Sequence, residues 1–97
     1  MTTINNKHVL ITGGASGIGR RLVLRCAGMG AAVTIWDLDE AGAKAAAAEA
    51  AARGPGPVRA FACDVGDREE VAACAAHVLA TRGPVDILVN NAGVVSG

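Results

Sequence analysis

Aromatic residues are almost absent from this 97-residue chain, which has no tyrosine, one tryptophan and one phenylalanine. Trp36 and Phe61 are read as core filling rather than as faces for stacking on a base. Excess charge is also lacking, since nine Lys and Arg meet nine Asp and Glu. A balanced chain generates no field that would favour nucleic acid or a membrane surface. Long apolar runs are missing too: Met1 to Lys7 carries neither the apolar segment of a signal peptide nor an anchor, and a cytoplasmic protein is the expectation. Cysteine is scarce and odd in number. Cys26, Cys63 and Cys74 fall on apolar positions without metal-ligand spacing, which fits reduced, buried thiols and no metal site. Only two histidines occur; His8 opens a strand, His77 lies inside a helix, and both are read as structural.

What the chain has instead is a regular alternation of short apolar runs and longer helical stretches. The runs predict β1 at His8 to Thr12, β2 at Ala32 to Trp36, β3 at Val58 to Cys63 and β4 at Val85 to Val89. Helices are predicted over Ile18 to Met29, Asp39 to Arg53 and Asp67 to Arg82. Gly28 to Gly30, Gly54-Pro55-Gly56-Pro57 and Gly83-Pro84 supply the breaks, and Asp67 with Glu70 reads as a capping box. The runs Ala45 to Ala48 and Ala50 to Ala52 are helix-forming filler rather than a repeat. Alternating β and α units imply an α/β protein with a parallel sheet, and right-handed crossovers with one reversal give strand order 3-2-1-4.

Between β1 and the first helix stands Thr12-Gly13-Gly14-Ala15-Ser16-Gly17-Ile18-Gly19. A helix start offers free backbone N–H groups and about half a positive charge, and glycines lacking Cβ let a pyrophosphate approach that backbone. Gly13, Gly17 and Gly19 make G-x-x-x-G-x-G rather than the usual G-x-G-x-x-G. A P-loop is excluded, because Arg20-Arg21 follow where Lys and Ser or Thr must hold phosphate and magnesium. A glycine-rich turn without a ligand is the plain alternative. Arg20, Arg21 and Arg25 could reach phosphate, but arginines along a helix read better as a solvated face.

The second strand runs into Asp37, eighteen residues beyond Gly19. An acid at that place can accept both ribose hydroxyls of an adenosine. It also repels a 2′-phosphate, by roughly 1 to 4 kcal/mol at about 4 Å depending on water access, and no Lys or Arg follows in Leu38-Asp39-Glu40. The expected cofactor is therefore NAD in preference to NADP. The plain alternative for Asp37 is a helix N-cap or a solvated turn acid. Asp64-Val65 repeats the layout after β3: Asp64 can accept from an adenine amino group while Val65 covers the ring, or Asp64 can simply cap a turn. After β4, Asn90-Asn91-Ala92-Gly93 puts amides beside β1 without bulk, or is only a polar turn.

Taken together, Thr12-Gly13-x-x-x-Gly17-x-Gly19, Asp37, Asp64-Val65 and Asn90-Asn91-Ala92-Gly93 resemble the short-chain dehydrogenase/reductase family in order and spacing, over the whole chain. The resemblance implies that Gly13, Ser16, Gly17 and Ile18, with Gly19, line the pyrophosphate and adenosine side of NAD. It implies that Asp37 holds the ribose, that Asp64 and Val65 contact adenine, and that Asn91 with Gly93 lies along the cofactor. The fold it implies is a Rossmann-type doubly wound sheet, truncated here after the fourth strand. Residues 1–97 would then be the N-terminal part of a single NAD-binding domain, without the catalytic half.

Such relatives act on alcohols or ketones with a tyrosine general acid/base, a nearby lysine, a serine and an asparagine. With no tyrosine here, and Lys7 and Lys44 outside any such arrangement, no residue is assigned as catalytic, and the chain alone is expected to be inactive. Ile35-Trp36-Asp37 and the segment Asn90 to Gly97 look most like the retinol and 17β-hydroxysteroid dehydrogenase branch, which suggests a lipophilic substrate and a homo-oligomer for the complete protein. Two other classes stand beside this reading. A non-catalytic nucleotide-binding module is one. An S-adenosylmethionine methyltransferase is the other, although its G-x-G-x-G loop after an acidic strand end does not match Thr12 to Gly17.

Overall fold

The computed structural model describes residues 4–92. Its elements are β1 (His8–Thr12), α1 (Gly17–Gly28), β2 (Ala32–Asp37), α2 (Glu40–Ala51), β3 (Val58–Ala62), α3 (Arg68–Arg82) and β4 (Ile87–Asn90). The four strands form one sheet in the order β3-β2-β1-β4, and each pairing is parallel. This is the α/β architecture and the 3-2-1-4 order expected from the alternating pattern.

Strand alternation divides the core between two faces. Val9 and Ile11 of β1 and Val33 and Ile35 of β2 face α1 and α2, where Val23, Ala27, Ala43, Ala46 and Ala50 are buried. The inward side of α2 is all alanine, so the helix lies flat and the strand residues supply most of the apolar surface, each contributing about 1.5 to 3 kcal/mol. Leu10 and Trp36 face the other way, toward Val78 of α3 and Cys63. That second layer is thin. Leu79 of α3 and Leu88 of β4 are 61% and 62% exposed.

Several boundaries differ from the sequence pattern. Asp39 and Asp67 stand outside their helices as N-caps: Asp39 accepts from the Gly42 N–H, and Asp67 from those of Glu69 and Glu70. The far end of the capping box is displaced, because the Glu70 carboxylate takes the Asp64 N–H at 3.0 Å rather than that of Asp67. The second helix stops at Ala51, with Ala52 as its C-cap, short of the expected Arg53. At β4 the ladder begins at Ile87, not Val85. Asp86 accounts for the shift: its carboxylate accepts the His8 N–H at 2.8 Å, a place a ladder carbonyl would otherwise take.

His8 is structural, as expected. It is buried, with Nδ1 3.0 Å from the Pro84 carbonyl and Nε2 2.7 Å from the Thr34 hydroxyl. The carbonyl can only accept, so Nδ1 donates to it, while Nε2 pairs with the Thr34 hydroxyl. One imidazole thereby joins β1, β2 and the approach to β4. His77 is at the surface, edge-on to Phe61 with ring centroids 5.0 Å apart. Of the three cysteines only Cys63 is buried; Cys26 and Cys74 are half-buried because each lies on the flank of its helix.

Candidate functional site

The residues singled out in the sequence converge on the carboxyl ends of the strands, because a parallel sheet sends every strand out at the same edge. Gly13 follows β1, Asp37 ends β2, Asp64 follows β3 and Asn91 follows β4.

The loop after β1 is held from both sides. Its Gly13 N–H donates to the Trp36 carbonyl at 2.8 Å, and its carbonyl accepts from the Asn91 side-chain amide at 3.2 Å. Gly19, at the start of α1, is in close contact with this turn: a Cβ there would lie 2.0 Å from the Gly13 carbonyl oxygen. Gly17 is the opposite case. Its φ is +60°, and a Cβ would meet nothing within 4 Å, so its backbone faces open space. Ser16 is the N-cap of α1 but makes no side-chain capping bond, and the first turn holds no acidic residue. The helix start therefore keeps free N–H groups, which fits an anion such as a pyrophosphate. Ile18 is 70% exposed beside it.

Asp37 is half-buried, and each carboxylate oxygen accepts one backbone N–H, from Ala15 at 3.0 Å and from Asp39 at 2.9 Å. It is not a helix cap, since Asp39 holds that position. Two fixed donors orient the carboxylate at the rim and leave further lone pairs for hydroxyl donors. Asp64 does cap a turn, accepting the Gly66 N–H at 2.9 Å. It nevertheless lines, with Asp37, Leu38 and Val65, a cleft of about 260 Å³ that has Gly13 and Ala92 on its far side. Trp36 and Cys63 also line it.

Past β4 the chain is tied to β1 by one hydroxyl. Thr12 Oγ1 accepts the N–H groups of Asn91 and Ala92, both at 3.0 Å, and lies 3.1 Å from the Asn90 side-chain oxygen, to which it donates. Gly93 lies outside the described residues. Arg20 turns to Glu49 of α2, away from the loop, and holds that carboxyl below the usual glutamate range. Arg21 and Arg25 are exposed, as a solvated face requires. In the sequence Thr12 stands only as the first residue of the glycine motif, without its role as organiser of the turn, and Trp36 and Cys63 read as core or buried positions rather than cleft lining. The position of Thr12 at the end of an apolar run, directly before the glycines, is the one local signal for it.

A model of the short chain dehydrogenase family matches residues 7–97. The chain belongs to that family. Among relatives of this short-chain dehydrogenase chain, mouse (Mus musculus) epidermal retinol dehydrogenase 2 is 43% identical over 89 residues, 92% of the chain and 29% of the relative. Two solved structures share its fold closely. A metagenomic short-chain oxidoreductase in complex with NADP is 34% identical with a TM-score of 0.88, over 96% of the chain and 42% of the structure. NAD+-bound xylitol dehydrogenase is 32% identical with a TM-score of 0.89, over 96% and 35%. The chain spans less than a third of the retinol dehydrogenase. Short-chain dehydrogenases are oxidoreductases that bind a nicotinamide dinucleotide.

Proposed function

We propose that residues 1–97 are the coenzyme-binding part of an NAD-dependent dehydrogenase that interconverts an alcohol and a ketone. The free N–H groups at the start of α1, with Gly13, Ser16, Gly17, Ile18 and Gly19, would hold the pyrophosphate. Asp37 would hold the adenosine ribose, Asp64 and Val65 the adenine, and Asn91 and Gly93 the side toward the nicotinamide. NAD would supply the hydride acceptor when bound. In the described geometry Asn91 acts through its bond to the Gly13 carbonyl, keeping the loop in place.

The single observation that carries the choice of NAD is Asp37, fixed at the cleft by the Ala15 and Asp39 N–H groups with Leu38, not a cation, beside it. A carboxylate so placed accepts ribose hydroxyls and repels a 2′-phosphate. Calorimetric titration with NAD and NADP tests this. Asp37→Ser should bring the two affinities together by about tenfold, a change of roughly 1.4 kcal/mol within the range of one charge pair. An unchanged ratio removes Asp37 from that role.

With no tyrosine in the chain, no residue here can act as the family's tyrosine acid/base, and the chain by itself would bind coenzyme without turnover. The similarity to a retinol dehydrogenase supports a lipophilic alcohol as substrate of the longer enzyme, which we place in the cytoplasm as a homo-oligomer. The alternative reading is a nucleotide-binding module with no reaction. The coding sequence beyond residue 97 decides: a continuing frame with Tyr-x-x-x-Lys means an enzyme, and a stop codon means a module. Among the described residues no helix is long and apolar enough to cross a membrane.

A further inference from the structure

Cys63 and Cys74 meet at the seam between β3 and α3. Cys63 directly follows the last residue of β3 and is buried, whereas Cys74 sits on α3 and is half-buried. Both pack in the cluster around Leu10, Trp36 and Val78. The Cys74 thiol donates to the carbonyl of Ala62, the residue before Cys63, at 3.7 Å. Each also borders a different opening: Cys63 the cleft shared with Asp37 and Asp64, Cys74 a surface groove of about 280 Å³ beside Phe61 and His77. Cys26 packs against the opposite face of the sheet.

We propose that Cys63 and Cys74 form a reversible disulfide when the chain meets a peroxide, and that this bond weakens nucleotide binding in the adjoining cleft. The second half rests on the NAD reading given above. Cys74, the more accessible thiol, attacks one peroxide oxygen; the O–O bond breaks, a sulfenic acid forms and one water leaves. The Cys63 sulfur then attacks Cys74 Sγ, the S–O bond breaks, and hydroxide departs with the Cys63 proton as a second water. Two thiols lose two electrons and two protons, and one peroxide becomes two waters. Cys63 is buried and Cys74 is half-buried, so peroxide reaches Cys74 first and Cys63 serves in the second step.

The bond matters to the cleft because of what lies next to it. Making it draws the sulfurs to about 2 Å apart, which moves α3 relative to residue 63. The loop between them is already fastened to that helix, through the Asp64 N–H on the Glu70 carboxylate, and its turn is closed by the Gly66 N–H on Asp64. Movement of α3 therefore shifts Asp64 and Val65.

Hydrogen peroxide treatment of the 97-residue chain, alkylation of remaining thiols, and tryptic mapping without reductant test the bond. Cleavage after Arg59, Arg68 and Arg82 puts Cys63 and Cys74 in separate peptides. The expected product is a linked pair lighter by two hydrogen atoms, reversed by dithiothreitol, retained in Cys26→Ser and lost in Cys74→Ser. Cys74 driven to sulfinic acid with Cys63 still alkylated, or a link formed only to Cys26 or only between chains, overturns the proposal. In calorimetry, oxidation should weaken NAD binding by about tenfold in the wild-type chain and leave Cys74→Ser unaffected. Equal affinity before and after oxidation overturns the switch. A reduced chain that binds no NAD but still forms the link fails the coenzyme reading and leaves the disulfide standing.

Discussion

Gly17 and Gly19 sit two positions apart and are constrained in opposite ways. At Gly19 the difficulty is contact, because a Cβ would fall 2.0 Å from the Gly13 carbonyl oxygen and part the helix from the turn it rests on. At Gly17 it is conformation alone, a φ of +60° with open space around it. Gly19→Ala should therefore cost about 3 kcal/mol of stability, and Gly17→Ala about 1 kcal/mol. Urea midpoints of the two variants check the order. Cys63 adds a pH dependence. Its thiol is raised to about 12 by burial first and by neighbours second, whereas an unfolded cysteine ionises near about 8.5. The folded state favours the protonated form, so this contribution is full below about pH 8.5 and declines as pH rises from there toward about 12. Thermal melts across that alkaline range should fall more steeply for the wild-type chain than for Cys63→Ala.

At the level of elements, α3 depends on its first turn. Asp67 accepts two N–H groups there, and Asp67→Ala should lower stability by about 1 kcal/mol, measurable as a reduced denaturation midpoint. This cap, like β1, was legible in the sequence, because both rest on neighbouring residues: a β-branched run for the strand, Asp three positions before Glu for the cap. The end of α2 was not. An alanine run has no boundary of its own, and the helix stops where the chain must turn toward Gly54. Nor was the start of β4, since Val85-Asp86-Ile87 alternates like a strand while the Asp86 carboxylate is engaged with a residue seventy-eight positions away. The site divides in the same manner. Its glycines and acids announced themselves by spacing, and the choice between Asp37 and Asp39 as helix cap required knowing which carboxylate reaches Gly42. Thr12, Trp36 and Cys63 gain their places from partners distant in the chain.

The molecule as a whole is unevenly clothed. One face of the sheet has two helices and the other has α3 alone. Among the described residues the outer edge of β4 pairs with no strand, and Leu88 and Leu79 are exposed nearby. Unpaired edges with apolar side chains invite association between chains. Sedimentation of the 97-residue chain should show concentration-dependent self-association, and Leu88→Lys should reduce it and raise the soluble yield. A monodisperse monomer with a sharp two-state melt would count against this.

The His8 junction also bears on how the chain is made. β1 gains β2 as a neighbour once residues 32–36 are available, but its other flank waits for 87–90, and the imidazole cannot reach the Pro84 carbonyl before then. During synthesis the central strand thus leaves the ribosome half-dressed, and its bare side remains open to chaperones until nearly all of these residues have emerged.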